Sequence, residues 1–129
     1  MPFDRFAPFA TKPRGLRGYT FAAPLVTTIL AAGHRPGFYE VDLSVFITTA
    51  GSGGNINGTQ LAWDEQGFGA SSLTFGNVAL TATGLVQALI RHIQSSGQSA
   101  ITYTITPASV TGSPVGNVVA FAQRLGDIV

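Results

Sequence analysis

The chain has 129 residues, enough for one domain with a core of its own. Only 10% of its residues are charged, against roughly 25% in an ordinary soluble domain, so a surface largely covered by partners is expected. There is no cysteine, which excludes disulfides, thiolate-bound zinc and thiol catalysis together.

The net charge of +1 is unevenly spread. Residues 1–18 (MPFDRFAPFATKPRGLRG) carry Arg5, Lys12, Arg14 and Arg17 against Asp4 alone. Residues 19–129 carry Arg35, Arg91 and Arg124 against Glu40, Asp42, Asp64, Glu65 and Asp127. A basic segment beside an acidic body can pair with a neighbouring copy. Pro2, Pro8 and Pro13 forbid a regular helix in this leader, while Phe3, Phe6 and Phe9 set it apart from ordinary disordered tails. We read residues 1–18 as an extended N-terminal arm ahead of a domain at 19–129. Phe3, Arg5, Phe6, Phe9, Lys12, Arg14 and Arg17 are its candidate partner-binding residues.

The apolar stretch Phe21–Ala32 superficially resembles a signal peptide, but Pro24, Thr27 and Thr28 interrupt it. It is also too short to span a membrane as a helix. The expectation is a protein made and used without secretion, with no membrane partner.

From Tyr19 onward the dominant period is two. In Phe38–Ile47, Tyr39, Val41, Leu43, Val45 and Ile47 share one face, and Glu40, Asp42 and Ser44 the other. Shorter strand candidates are Leu25–Leu30, Gln60–Glu65, Ser72–Phe75 and Val78–Thr81. Residues 85–94 fit a strand, with Leu85, Leu89 and Ile93 on one side, or a helix with Thr83 as its cap. Neighbouring strands favour the strand. Gln98–Thr106 alternates Ile101, Tyr103 and Ile105 against three threonines. Val118–Leu125 closes the chain with Val119, Phe121 and Leu125 on one side and Arg124 on the other. Gly-, Asn- and Ser-rich turns at 33–37, 50–58, 67–70 and 111–116 punctuate these runs. The pattern predicts an all-β fold, an antiparallel β-sandwich of jelly-roll type.

Nothing in the sequence composes an active site, and no cofactor or metal is expected. His34 reads as a polar loop residue, and His92 has no carboxylate within a few residues to orient it. Glu40 and Asp42 share a strand face at roughly 6–7 Å, a spacing that suits paired carboxylates, but the sequence offers no cleft around them. Asp64 and Glu65 lack a calcium-loop pattern. Gly51-Ser52-Gly53-Gly54 lacks the lysine and helix of a phosphate loop. Asn57-Gly58-Thr59 is turn chemistry before it is a glycosylation site. Trp63 and Tyr103 could stack on a sugar, yet both sit in strands and read as core. The acidic balance of residues 19–129 argues against nucleic acid.

The runs GFYEVDLSVFITTAGSGGNINGTQLAWDE, SAITYTITP and VVAFAQRL, spanning about residues 37–125, resemble small β-sandwich proteins of tailed-phage virions. The arm has no counterpart in that pattern. The resemblance implies a non-enzymatic virion structural protein. A capsid decoration (cement) protein is the first expectation, bound to the major capsid protein as a homo-oligomer, with a trimer the expected form and the virion its location. A tail, neck or baseplate component is the alternative within the class, and a carbohydrate-binding receptor module on a fibre or spike the alternative outside it.

Overall fold

The structure, a computed structural model, describes residues 14–127. All regular structure among them is β. The strands are β1 (Arg14–Thr20), β2 (Leu25–Leu30), β3 (Gly37–Thr49), β4 (Gly53–Ile56), β5 (Gln60–Glu65) and β6 (Gly69–Thr74). They continue as β7 (Val78–Ala79), β8 (Gly84–Ser95), β9 (Ile101–Ile105), β10 (Pro107–Thr111) and β11 (Val115–Gly126). The long sheet runs β1-β11-β3-β8-β5-β9-β2, with β6 added on β5, and every pairing is antiparallel. β10, β4 and β7 make a separate three-stranded sheet.

The long sheet is curled into two leaves. Between β8 and β5 the only matched pair is Glu65 with Ser95, so the sheet folds there. On one leaf, β3 points Tyr39, Val41, Leu43, Val45 and Ile47 inward, and all five are buried. β11 supplies the small inward residues Val118, Ala120 and Ala122. The opposite leaf answers with Ile29 of β2, Leu61 of β5, and Ile101, Tyr103 and Ile105 of β9. Residues from both leaves (Ile29, Val41, Leu61, Leu89 and Tyr103) meet around a residual void of about 10 Å³, room for one water at most. This interdigitated interior is a sandwich core.

The alternation in Phe38–Ile47 and Gln98–Thr106 carries over with its expected faces. Residues 85–94 are strand, within β8. β4 lies where the sequence suggested a loop, β1 begins within the expected arm, and β10 falls mostly in a stretch assigned to neither strand nor turn. β4 and β10 carry Gly53, Gly54, Pro107 and Ser109, residues poor in β propensity, and gain their structure by pairing with each other. Gly54 has φ +104°, and a Cβ there would sit 2.6 Å from Val110 Cα, so this crossing admits only glycine. Residues 14–18, placed at the end of the arm, instead begin β1 and pair with β11 from Arg14↔Ala120 onward.

Candidate functional site

The outer face of the leaf β1-β11-β3-β8 brings carboxylates, a histidine and exposed apolar side chains together. On β3 the residues opposite in parity to the core are Glu40, Asp42, Ser44 and Phe46. Strand register places three matched rows across the leaf. Glu40 lies between Gln123 and His92, Asp42 between Phe121 and Ile90, and Ser44 between Val119 and Ala88. Phe46 follows, flanked by Asn117 and Leu85. Ile90 is 59% and Leu85 57% exposed, and Phe46 is also open to solvent. At the Phe46 end, Gly15, Leu16, Arg17, Asn117 and Val119 complete an open groove of about 640 Å³. The Gly18 N–H donates to Asn117 Oδ1 at 3.1 Å, which pins the irregular middle of β1 beside that groove.

The polar groups of this face are unevenly satisfied. Glu40 Oε1 lies 3.4 Å from His92 Nε2, so pairing of β3 with β8 gives this histidine the carboxylate that its sequence neighbours do not. Asp42 Oδ1 is closed off from solvent and has no hydrogen-bond partner among the described residues. Burial between its neighbours raises the Asp42 carboxyl above the usual value, and the charge on Glu40 raises it further against the pull of His92. Glu40 and Asp42 thus share a face, as their spacing requires, but that face is the outside of a sheet.

Other candidate chemistry is absorbed by the fold. His34, read as a polar loop residue, is 4% exposed. Its ring sits edge-on to Tyr39 and hydrogen-bonds the Ser95 hydroxyl. The Asp64 carboxylate accepts from the Ser96 hydroxyl, and its backbone carbonyl accepts from the Ser96 N–H. Glu65 Oε1 accepts from Trp63 Nε1 at 2.9 Å and from the Gln94 N–H at 3.1 Å. These two carboxylates tie β5 to the end of β8. Tyr103 is 1% exposed, and Trp63 packs against the core with its N–H committed to Glu65. Asn57 donates its backbone N–H to the Thr106 carbonyl in the turn before β5. Among the described residues no three His, Cys, Asp or Glu side chains converge as a metal site would require.

Of the arm residues singled out in the sequence, Phe3, Arg5, Phe6, Phe9 and Lys12 lie outside the described residues. Arg14 opens β1, and Arg17 is exposed at the rim of the Phe46 groove. The apolar outward row of Phe46, Leu85, Ile90 and Phe121 escaped sequence reading. For Ile90 the signal was present in the parity of β8: once Leu89 and Ile93 face inward, Ile90 must face out. Leu85, expected on the side of Leu89 and Ile93, is exposed because the β3–β8 register shifts between Val45 and Phe46.

No family model matches the chain, and no curated protein matches it. Among solved structures it is similar to the CBM22-1–GH10 modules of the Clostridium thermocellum endo-1,4-beta-D-xylanase 10B, solved with xylohexaose. The identity is 14% and the TM-score 0.43. The match covers 95% of this chain, which spans about 30% of that one.

Proposed function

We propose that this chain is a non-catalytic structural protein of a tailed-phage virion, in the first place a capsid decoration protein that stabilises the shell through its sandwich and N-terminal arm. The observation that carries the assembly role is the outer leaf of β11, β3 and β8. There Phe46, Leu85 and Ile90 stand in solvent on the same face as the exposed polar side chains of His92 and Gln123. A stable interface needs apolar area with a few matched polar groups, and this face offers both. Placement in a virion rests on the sequence resemblance over residues 37–125.

A carbohydrate-binding module is the second reading, and the sandwich suits it as well. The Trp63–Tyr103 platform is not available to a sugar, because Tyr103 is buried and Trp63 is held by Glu65. A sugar would need another aromatic, such as Phe68 at the β5–β6 turn, which is 84% exposed.

The test is the copy number of this chain in purified virions, set beside a glycan-array screen of the isolated protein. Copies in the hundreds support decoration, and a dozen or fewer assign the chain to the tail. Absence from the particle together with selective glycan binding replaces the proposal by the second reading.

A further inference from the structure

We propose that Asn57 is a site of spontaneous deamidation, at which the folded chain converts its own Asn57–Gly58 link to aspartate and isoaspartate as it ages. The inference goes beyond the assembly role and does not depend on it.

The sequence holds four asparagines, Asn55, Asn57, Asn77 and Asn117. Deamidation begins when the backbone nitrogen of the next residue reaches the side-chain carbonyl carbon. A Cβ on that next residue crowds the approach, and glycine has none. Ile56, Val78 and Val118 follow three of the asparagines, and all are β-branched. Gly58 follows Asn57. Asn117 is held further, because its Oδ1 accepts from the Gly18 N–H.

Both reacting groups of the Asn57 pair are open. Asn57 is exposed in the turn between β4 and β5. Neither its carboxamide nor the Gly58 N–H makes a hydrogen bond among the described residues. The fold also holds the glycine in place. Gly58 has φ +64°, and a Cβ there would stand 3.0 Å from Thr74 Cγ2. The turn thus demands the residue that makes its asparagine labile.

In the first step the Gly58 nitrogen bonds to Asn57 Cγ and gives up its proton. The bond from Cγ to the amide nitrogen breaks, and ammonia leaves with that proton. The cyclic imide then takes up one solvent water. Opening at the side-chain carbonyl gives aspartate, and opening at the main-chain carbonyl gives isoaspartate, whose backbone runs through Cβ and Cγ.

The turn tolerates these two products unequally. On one side the Asn57 N–H donates to the Thr106 carbonyl at 2.8 Å. On the other, Thr59 is fully buried and its hydroxyl donates to Gln87 Oε1 at 2.8 Å. The Thr59 carbonyl accepts from the Phe75 N–H, also at 2.8 Å. Aspartate only adds a charge to an exposed side chain. Isoaspartate adds a methylene carbon to the main chain between these anchors. That strains the link from β4 of the small sheet to β5 of the long one.

The test incubates the full protein in mildly alkaline buffer, native and unfolded in urea, and follows each asparagine by peptide mass spectrometry. In the native protein Asn57 should show the amide-to-acid mass change several-fold faster than Asn55, Asn77 and Asn117. Asn57→Gln should abolish the fast step. Reaction at Asn57 no faster than at the other three overturns the proposal. So does a native chain that keeps Asn57 while the unfolded chain loses it, because the folded turn then protects the pair. Freshly purified Asn57→Asp should melt with the parent protein, and the isoaspartyl form purified from aged protein should melt lower. Equal melting of these two forms overturns the strain assigned to the sheet junction.

Discussion

His34 and Ser95, 61 residues apart in the chain, share a 2.6 Å hydrogen bond inside the sandwich. The other ring nitrogen, Nδ1, lies 2.8 Å from the Ala31 carbonyl oxygen, which can only accept. Nδ1 therefore carries the proton, and Nε2 accepts from the Ser95 hydroxyl. This is the proton arrangement of a base and its nucleophile, but Ser95 is 0% exposed and no substrate can reach it. The pair holds the turn before β3 against the end of β8. Ser95→Ala leaves a buried acceptor unsatisfied and should cost about 1–3 kcal/mol, read as a lower urea midpoint with unchanged slope.

Gly97 belongs to the same junction. Its φ is +80°, and a Cβ there would collide with the His34 carbonyl oxygen. Its own carbonyl accepts from the Gly33 N–H at 2.7 Å, which fixes the two turns against each other. Gly97→Ala should therefore destabilise by more than about 2 kcal/mol, combining the strain of positive φ with a backbone clash. Thermal unfolding of the variant, compared with Gly76→Ala where a Cβ meets nothing within 4 Å, separates this effect from general glycine loss.

The faces of β3 and β9 were legible because bulky apolar residues alternate there with Glu, Asp, Ser and Thr for several turns of the pleat. Val118–Leu125 had the same period with the weight reversed. Its inward row is Val118, Ala120 and Ala122, packed close beneath the opposite leaf, while the larger Phe121 and Leu125 face outward. Size alone cannot reveal which face a sheet buries when the partner leaf leaves room only for small side chains. β4 and β10 were illegible because their register comes from each other and from β7, not from their own residues. The burial of His34, a polar turn residue, was not legible because its partners, Ser95 and Tyr39, are supplied by the fold.

Asp42 and Asp127 should titrate with opposite effects on stability. Burial raises the folded Asp42 carboxyl above its unfolded value of 3.8, so the native state binds this proton more tightly. Stability falls as pH rises from 3.8 through the folded value, and the penalty then persists at neutral pH. Asp42→Asn removes that penalty and should raise the melting temperature at pH 7, on the order of 0.5 kcal/mol after solvent screening. A lower melting temperature in the variant would show that the carboxylate is already satisfied.

Asp127 works the other way. The Arg124 hydrogen bond and charge, with help from Arg35, hold its carboxyl below 3.8. Its contribution is present above 3.8 and is lost as pH falls through the lower, folded value. Arg124 also donates to the Pro36 carbonyl from Nε at 3.3 Å and Nη2 at 2.9 Å, so the cluster ties the end of β11 to the start of β3. Asp127→Asn should flatten the acid limb of the stability curve and leave neutral-pH binding to any partner unchanged, as followed by chemical shifts of β3 amides.

The boundary of β1 makes two truncations behave differently. Removal of residues 1–13 ends the chain where β1 begins, so the pairs Arg14↔Ala120, Gly15↔Val119 and Leu16↔Val118 survive. Removal of residues 1–17 deletes those pairs, uncovers the edge of β11 and opens one side of the Phe46 groove. The shorter deletion should keep the unfolding midpoint of the full chain and abolish incorporation into particles. The longer one should lose stability as well, and its bare β11 edge should promote aggregation at micromolar concentration. Parallel denaturant melts, light scattering and particle-binding assays separate the two. If the chain lacking residues 1–13 still fills particles to the same occupancy, the arm has no part in assembly.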